Sequence, residues 1–436
     1  MKSEDQVIIF ALAGEDKPPE QHALSYSAVF ALILSMVIVG VSFGAVAPLV
    51  SALLENRGFS EYFTGSVTAT LSLAVAVSSP WIGKLIERYG TRRMNVLGVS
   101  GQALGFAGLG LALATNEFVL FPIRLGLGLA ATMTFMATEV ALMRGVAESV
   151  RGRVMAAYGS GFAIGFMLGV FASDLTYEWF GLWCFALVAV IAACFVPLAW
   201  LGMRGEIGDP IVALNEEAKG RTPRARHNWQ PLWMGLFAAV VFGGLDTAIS
   251  GTYPVEGQRL GMTRSETLHL VGIMAFGMVA GQPFSGWLAD KFGARRPLVV
   301  LVSLGIVCSM AAGYFAHVMS ALNKFEIALS FCGLGVAIGG VYPIGLKVLA
   351  DRTAPENMPR VNARFSMLYG YAALVGPLLA AFGIDAMERL GYLGFAVPSV
   401  CALTLALMLG LVWRDWKIFG NQVQQYSGAS SHRAMQ

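Results

Sequence analysis

Long apolar stretches, almost free of charge, recur along the whole 436-residue chain and limit what it can fold into. Hydrophobic residues make up 56% of the sequence and charged residues only 13%, about half the charged share of a soluble domain. A helix of about 20 apolar residues crosses the hydrocarbon core of a bilayer. The sequence therefore predicts an all-α polytopic membrane protein. Its twelve predicted spans are approximately 28–54, 65–85, 94–114, 118–142, 153–175, 181–203, 231–255, 266–289, 297–318, 325–350, 360–383 and 391–414.

A short charged turn occurs twice, once between the second and third predicted spans and once between the eighth and ninth. The first copy carries Gly83, Glu87, Arg88, Gly90, Arg92 and Arg93, and the second carries Gly286, Asp290, Lys291, Gly293, Arg295 and Arg296. The copies lie 203 positions apart, and the segment 126–130 matches 333–337 at an offset of 207. Two matches in the same order indicate that each half of the chain repeats the other.

Lysine and arginine are distributed unevenly over the predicted loops. With the N-terminus in the cytoplasm, 24 of the 30 lie on the inner side, five on the outer side and Arg124 within a span. The positive-inside rule then predicts that both termini are cytoplasmic. The predicted organisation is an N-terminal arm (1–27), a six-helix bundle (28–203), a linker (204–230), a second six-helix bundle (231–414) and a C-terminal tail (415–436).

Other classes of protein lack support in the motifs. All five cysteines fall inside apolar runs without CxxC or Cys/His spacing, so we expect neither a disulfide framework nor a metal site. The chain contains no HExxH, GxSxG or Walker sequence, so an intramembrane enzyme is not predicted. We expect no cofactor, no nucleic-acid partner and a monomer embedded in the lipid bilayer. Separately, Thr263 and Glu266 predict a capping box at the start of the eighth helix.

On the evidence of the duplicated turn and the repeated halves, the chain resembles the major facilitator superfamily over essentially its whole length. The family signature between helices 2 and 3 is Gly, three residues, Asp, a basic residue, any residue, Gly, any residue and two basic residues. The second turn matches every specified position, and the first departs only at Glu87, where Asp is usual. The resemblance implies two pseudo-symmetric six-helix halves and a charged network that locks them together on the cytoplasmic side in the outward-open state.

A narrower likeness comes from the fourth, fifth and tenth helices. The block Glu139–Met143, the segment Arg151–Tyr158 and the pair Tyr342-Pro343 resemble the YcaD-like branch of bacterial facilitators. That branch implies a carrier of the inner membrane without naming its cargo.

Four side chains within the predicted spans are candidates for substrate binding or proton coupling: Arg124, Glu139, Asp246 and Tyr342. Ionisable groups inside a membrane are costly and mark transport pathways. Arg124 opens a segment that resembles the family's second motif, although Leu127 replaces the usual Gln, and related antiporters link such an arginine to proton coupling. The alternative is that Arg124 snorkels to the lipid headgroups. Tyr342-Pro343 is expected to bend the tenth helix into the cavity.

Two interpretations stay open for Glu139. It is either a proton carrier or substrate contact in the central cavity, or a structural latch paired with Arg144 or Arg153. For Asp246 the favoured interpretation is a proton-carrying or substrate-binding group of the cavity.

The predicted function is a secondary active transporter that moves a small solute or ion by alternating access. Coupling to protons is expected, and the direction leans to efflux. Arg124 favours proton antiport, whereas the family's antiporter motif on helix 5 has Gly-Pro and here Gly165 is followed by Phe166. The alternative is a transport-inactive membrane sensor or assembly partner that retains the carrier fold.

Overall fold

The computed structural model describes residues 24, 26–59, 61–202, 229–318 and 324–433, and nearly all of them are helical. The helices of the first half are α1 Tyr26–Asn56, α2 Glu61–Tyr89, α3 Thr91–Thr115, α4 Leu120–Gly145, α5 Glu148–Phe180, α6 Trp183–Cys194 and α7 Val196–Gly202. Those of the second half are α8 Trp233–Arg259, α9 Arg264–Phe292, α10 Arg295–Val318, α11 Lys324–Asp351, α12 Met358–Leu390 and α13 Ala396–Arg433.

The helices fall where the apolar windows predict them. Within the described residues, eight helices are long and apolar enough to cross a membrane, namely α2, α3, α4, α8 and α10 to α13. The other predicted spans correspond to α1, α5, α9 and the consecutive pair α6 and α7. The all-α polytopic fold is therefore confirmed. Helix α13 continues to Arg433, through the predicted tail, while most of the predicted arm and of the linker lies outside the described residues.

Glycine sets the geometry of the duplicated turn. Helix α2 ends and α3 begins around Gly90, whose φ is 85°, and Gly293 has a φ of 75° between α9 and α10. A side chain with a Cβ is strained at such angles, which is why the turn needs glycine there. At the start of α9 the predicted capping box is confirmed, since Thr263 Oγ1 accepts from the Glu266 amide and Glu266 Oε2 accepts from the Thr263 amide at 2.9 Å.

The two halves repeat one packing scheme. Helix α1 packs along α5 as α8 packs along α12, and α2 packs on α4 as α9 packs on α11. Gly40 of α1 lies against the backbone of Phe162, and Gly243 of α8 lies against Tyr369. Because 40 matches 243 at the 203 offset and 162 matches 369 at the 207 offset, the structure repeats the contacts that the sequence duplication predicts.

Two pairs of helices, α2 with α12 and α5 with α9, make the most extensive contacts between the halves, and α5 with α11 and α4 with α12 add smaller ones. Gly83 of α2 lies against Pro359 and Ala363, and Gly286 of α9 lies against Gly152 and Ala156. These contacts are close to the end of the bundle that carries the Gly90 and Gly293 turns, which we term the turn end. Over the described residues, the hydrogen bonds and ion pairs between the halves concentrate in this part of the bundle.

Candidate functional site

Asp290, in the second turn, binds the beginning of α5 in the other half. Its carboxylate oxygens accept from the backbone N–H of Gly152 at 2.8 Å and of Arg153 at 2.9 Å, and its side chain is only 5% exposed. A Cβ on Gly152 would lie 2.6 Å from Asp290 Oδ1 and 2.7 Å from the Gly286 carbonyl oxygen. The glycine is thus required for the carboxylate to reach the amides, where the helix dipole favours negative charge.

Further charges surround this contact. Lys347 of α11 is buried, and its Nζ lies 3.5 Å from Asp290 Oδ1 and 2.9 Å from Asp351 Oδ2. Arg151 of the first half binds Asp351, and Arg153 Nε lies 3.3 Å from Asp290 Oδ2. We refer to these five residues from α5, α9 and α11 as the Asp290 cluster. It carries both backbone and side-chain bonds across the halves.

The first turn makes a simpler contact. Glu87 accepts from Arg360 of α12, with Oε1 2.7 Å from Nε and Oε2 3.3 Å from Nη2. The position that matches Gly152 is Pro359, which has no N–H to donate. One of the two amides that Asp290 binds thus has no counterpart, and Glu87 is bonded to the side chain of Arg360, which is 54% exposed. The side chain of Glu87 is one methylene longer than that of Asp290, and it reaches an arginine side chain rather than a backbone amide.

The other basic residues of the two turns bind within their own halves or lie at the surface. Arg92 stacks on Trp200 with its guanidinium carbon 3.4 Å from the ring centroid, and Arg364 stacks in the same way on Trp229. Arg295 Nε donates to Asp415 of α13 at 2.7 Å. The exposed residues are Arg88, Arg93, Lys291 and Arg296.

Glu139 of α4 is a hydrogen-bond centre between the halves, 2% exposed. Its Oε1 accepts from the hydroxyl groups of Tyr342 (α11) and Tyr158 (α5, 3.3 Å), and its Oε2 accepts from Asn362 Nδ2 (α12) at 2.9 Å. These donors are neutral, and Arg153 lies at Asp290 instead. One of the two interpretations paired Glu139 with Arg144 or Arg153, whereas in the structure Glu139 joins the halves through hydroxyl and amide groups.

Asp246 lies in the middle of α8 and is half-buried. Phe242, one turn earlier, packs on Tyr342 of α11 with ring centroids 4.6 Å apart, and Gly243 faces Tyr369 of α12. A residue four positions after Phe242 is rotated by about 40° from it, so Asp246 projects between the directions of α11 and α12. Over the described residues, no hydrogen bond or ion pair engages its carboxyl group.

At three matched positions, the two halves carry side chains of different polarity. Asp246, Tyr342 and Tyr369 in the second half correspond to Phe43, Phe135 and Phe162 in the first. All six are half-buried, and the rings of Phe135 and Phe162 are 5.2 Å apart. We name the first set the polar wall and the second set the phenyl wall.

Arg124 lies apart from the other candidates. It belongs to the second turn of α4 at the end opposite the turn end, is 3% exposed, and its Nε has no hydrogen-bond partner in the described structure. Fifteen residues separate it from Glu139, which is about 22 Å along a helix. The structure therefore brings Glu139 and Tyr342 together and leaves Arg124 distant.

Sequence reasoning missed several polar residues of the interior. Asn362 and Lys347 carry cross-half contacts, and buried Glu256 accepts from the amides of Ala396 at 2.8 Å and Val397 at 3.0 Å. Glu256 could have been recognised from the sequence, because a carboxylate directly after the predicted span 231–255 needs a partner if it is buried. Asn362 and Lys347 lie near helix ends, where polar residues are common.

Comparison with known sequences agrees with this architecture. The sequence model of the Major Facilitator Superfamily matches residues 32–338 and 235–417. The chain is 25% identical to the uncharacterized MFS-type transporter YfkF of Bacillus subtilis, covering 87% of this chain and 95% of that protein. It is also 25% identical to the uncharacterized MFS-type transporter YcaD of Escherichia fergusonii, covering 74% of this chain and 77% of that protein. The predicted likeness to YcaD is confirmed.

Solved structures share the fold. The human organic anion transporter MFSD10 (TETRAN) superimposes with a TM-score of 0.70 at 16% identity, covering 91% of this chain and all of that chain. The fucose:proton symporter FucP of E. coli superimposes with a TM-score of 0.68 at 13% identity, covering 88% and 98%. Together with the duplicated turn and the repeated packing of the halves, these matches establish that the chain belongs to the Major Facilitator Superfamily, a family of membrane transporters.

Proposed function

We propose that this protein is a proton-coupled secondary active transporter of the inner membrane, which exports a small solute by alternating access. Two bundles, 28–203 and 231–414, move against each other, and a single chain is the working unit. The distribution of lysine and arginine supports a cytoplasmic turn end, with both termini and the linker on the same side. Superfamily members are generally transporters rather than enzymes.

The observation that carries this proposal is the seal between the halves at the turn end. The Asp290 cluster, the Glu87–Arg360 pair and the Glu139 centre all bridge the halves there. With the turn end in the cytoplasm, this arrangement corresponds to an outward-open carrier. Movement to the inward-open state requires all three contacts to separate.

Glu139 is suited to couple that movement to a proton. As a carboxylate it accepts from three donors, two of which, Tyr342 and Asn362, belong to the other half. A protonated carboxyl group carries a donor of its own and has fewer oxygen lone pairs for the others. Protonation therefore weakens the bonds between the halves and favours opening at the turn end. In an export cycle, a proton taken up from outside returns the empty carrier to the inward-open state.

Reconstitution tests the proposal. Vesicles that contain the purified protein would be loaded with a cell extract and given a proton gradient, and their contents compared by mass spectrometry before and after. We expect gradient-dependent loss of a restricted set of solutes, and loss of the gradient dependence in Glu139→Gln. If no solute moves in either condition, the transport-inactive sensor or assembly partner becomes the better interpretation.

A conformational measurement tests the role of Glu139 without knowledge of the cargo. Spin labels at the exposed positions Lys84 and Glu356 report the separation of the halves at the turn end. We expect acidification to increase the population with a long distance in the wild type. Glu139→Gln should remove this pH dependence, and an unchanged pH response in that variant contradicts the coupling role.

A further inference from the structure

Among the carboxyl groups that the structure describes in the middle of the bundle, Asp246 differs from Glu139 and Glu256 in having no hydrogen-bond or ion-pair partner. Glu139 receives three hydrogen bonds from neutral donors, and Glu256 receives two backbone amides at the start of α13. Over the described residues, nothing comparable engages Asp246. A half-buried carboxylate inside a membrane is costly unless a cation or proton accompanies it. The missing partner is therefore expected to come from outside the chain.

The direction of Asp246 places it in the interior of the bundle rather than against lipid. The face of α8 that contains Phe242 and Tyr253 packs on α11. Phe242 contacts Tyr342, and Tyr253 contacts Phe331 with ring centroids 4.4 Å apart. The face of α8 that contains Gly243 packs on α12, and Glu256 of α8 faces the start of α13. Asp246 falls between the α11 and α12 directions, and these two helices make little contact with each other, so the carboxyl group is directed towards the gap between them.

Aromatic rings border the carboxyl group. Phe242 lies one helical turn before Asp246 on α8, and its ring centroid is 6.1 Å from that of Tyr369 on the adjoining helix α12. Aromatic faces attract organic cations by their quadrupole. The phenyl wall of Phe43, Phe135 and Phe162 supplies apolar surface at the matched positions of the other half. A ligand with a positive group and an apolar body fits this arrangement, in which the second half offers a carboxyl group and the first half offers phenyl rings.

We propose that the space between the polar wall and the phenyl wall binds an amphipathic organic cation, with its charged group at Asp246 and its apolar body against the phenyl rings. This rests on the proposed function, because it names the class of cargo for the same cavity. It defines an acidic recognition subsite in the second half only.

Arg124 does not neutralise this subsite. It lies four residues, about 6 Å, from the start of α4, whereas Asp246 lies 13 residues, about 20 Å, from the end of α8 on the same side of the bundle. The two charges therefore differ in depth by about 14 Å. Arg124 is also almost completely buried, so it presents little surface to a ligand in the cavity.

Equilibrium binding of tetraphenylphosphonium to the purified full-length protein tests the proposal, with tetraphenylborate as an anion of the same shape. We expect saturable binding of the cation, no saturable binding of the anion in a separate titration, and cation binding at least tenfold weaker in Asp246→Asn. Asp246→Glu keeps the charge and should retain most of the affinity. Asp385→Asn is the matched control, because it removes a carboxylate that pairs with Arg259 at the surface of the same half.

Three results would overturn the proposal: no saturable cation binding by the wild type, equally tight saturable binding of tetraphenylborate in its own titration, or unchanged cation affinity in a folded Asp246→Asn protein. The first two need no variant, so a variant that fails to fold does not obstruct the test. The assay uses no proton gradient. A wild type that binds the cation but moves no solute would refute the transport proposal and leave this one intact.

Discussion

The Asp290 cluster and the Glu87–Arg360 pair are built on the same turn and join the same two halves, yet they differ in strength. Asp290 reaches two backbone amides of α5 because Gly152 allows close approach. At the matched position of α12, Pro359 offers no amide, and Glu87 binds an exposed arginine side chain instead. A duplicated motif thus gives one buried contact and one surface contact, and the partner helix decides which.

This difference predicts that the seal depends mainly on the second turn. Opening can be followed as the alkylation rate of a cysteine at position 160, introduced by Ser160→Cys in a protein whose five native cysteines are replaced. Ser160 of α5 is buried against Gln282 of α9, so we expect the cysteine to react only when these helices separate. The variants below are all compared in this background.

The largest effect is expected for Asp290→Asn. The change removes the charge that faces the α5 amides and the buried Lys347, and breaking a buried ionic contact costs about 3 kcal/mol. The presence of Asp351 beside Lys347 reduces this, so we expect alkylation to rise about 30-fold, equivalent to about 2 kcal/mol. A rise no larger than that of the Glu87 variants would refute the difference between the two contacts.

Gly152→Ala should have the next largest effect. Its Cβ would come within 2.7 Å of the Gly286 carbonyl oxygen, and the backbone must move to relieve the clash. Overpacking of this kind costs about 1–3 kcal/mol, so we expect alkylation to rise about tenfold. Gly126→Ala serves as the control, since a Cβ there meets no other atom within 4 Å. Equal rates in the two variants would show that close approach at Gly152 is not needed.

A smaller effect is expected for the Glu87–Arg360 contact, and a second substitution should reverse it. Glu87→Asp shortens the side chain and should weaken the contact with Arg360, raising alkylation a few-fold at most, since exposed ion pairs contribute less than about 1 kcal/mol. Adding Pro359→Gly provides the missing amide and should reverse the rise. If the double variant is more reactive than Glu87→Asp alone, the proline does not explain the glutamate.

The smallest effect concerns ionic strength. Salt screens exposed pairs more than buried ones, so 0.5 M salt should reduce the difference between Glu87→Gln and the wild type to nothing. The difference between Asp290→Asn and the wild type should persist. Equal loss of both differences would indicate that both contacts are exposed to solvent.

The fold could be predicted from the sequence because its determinants are local. Runs of about 20 apolar residues give the helices, and the positive φ at Gly90 and Gly293 explains the glycines of the turns. The repeat offsets also relate residues that make equivalent contacts in the two halves, such as Gly40 and Gly243. The break between α6 and α7 and the extent of α13 have no equally clear pattern in the sequence.

The candidate site was predicted only in part because its contacts join distant positions. Glu139 and Tyr342 were recognised as residue types that are costly in a membrane, but their hydrogen bond spans about 200 positions. Asn362 and Lys347 carry no such signal, since polar residues near helix ends are common. The role of Pro359 becomes visible only when α12 is known to face α2.

Two tryptophans flank the linker, and each is held by an arginine of its own half: Trp200 by Arg92, and Trp229 by Arg364. The points where the chain leaves one bundle and enters the other are therefore fixed independently of the peptide that connects them. Two fragments expressed from separate genes, divided within 203–228, should consequently assemble into one complete carrier.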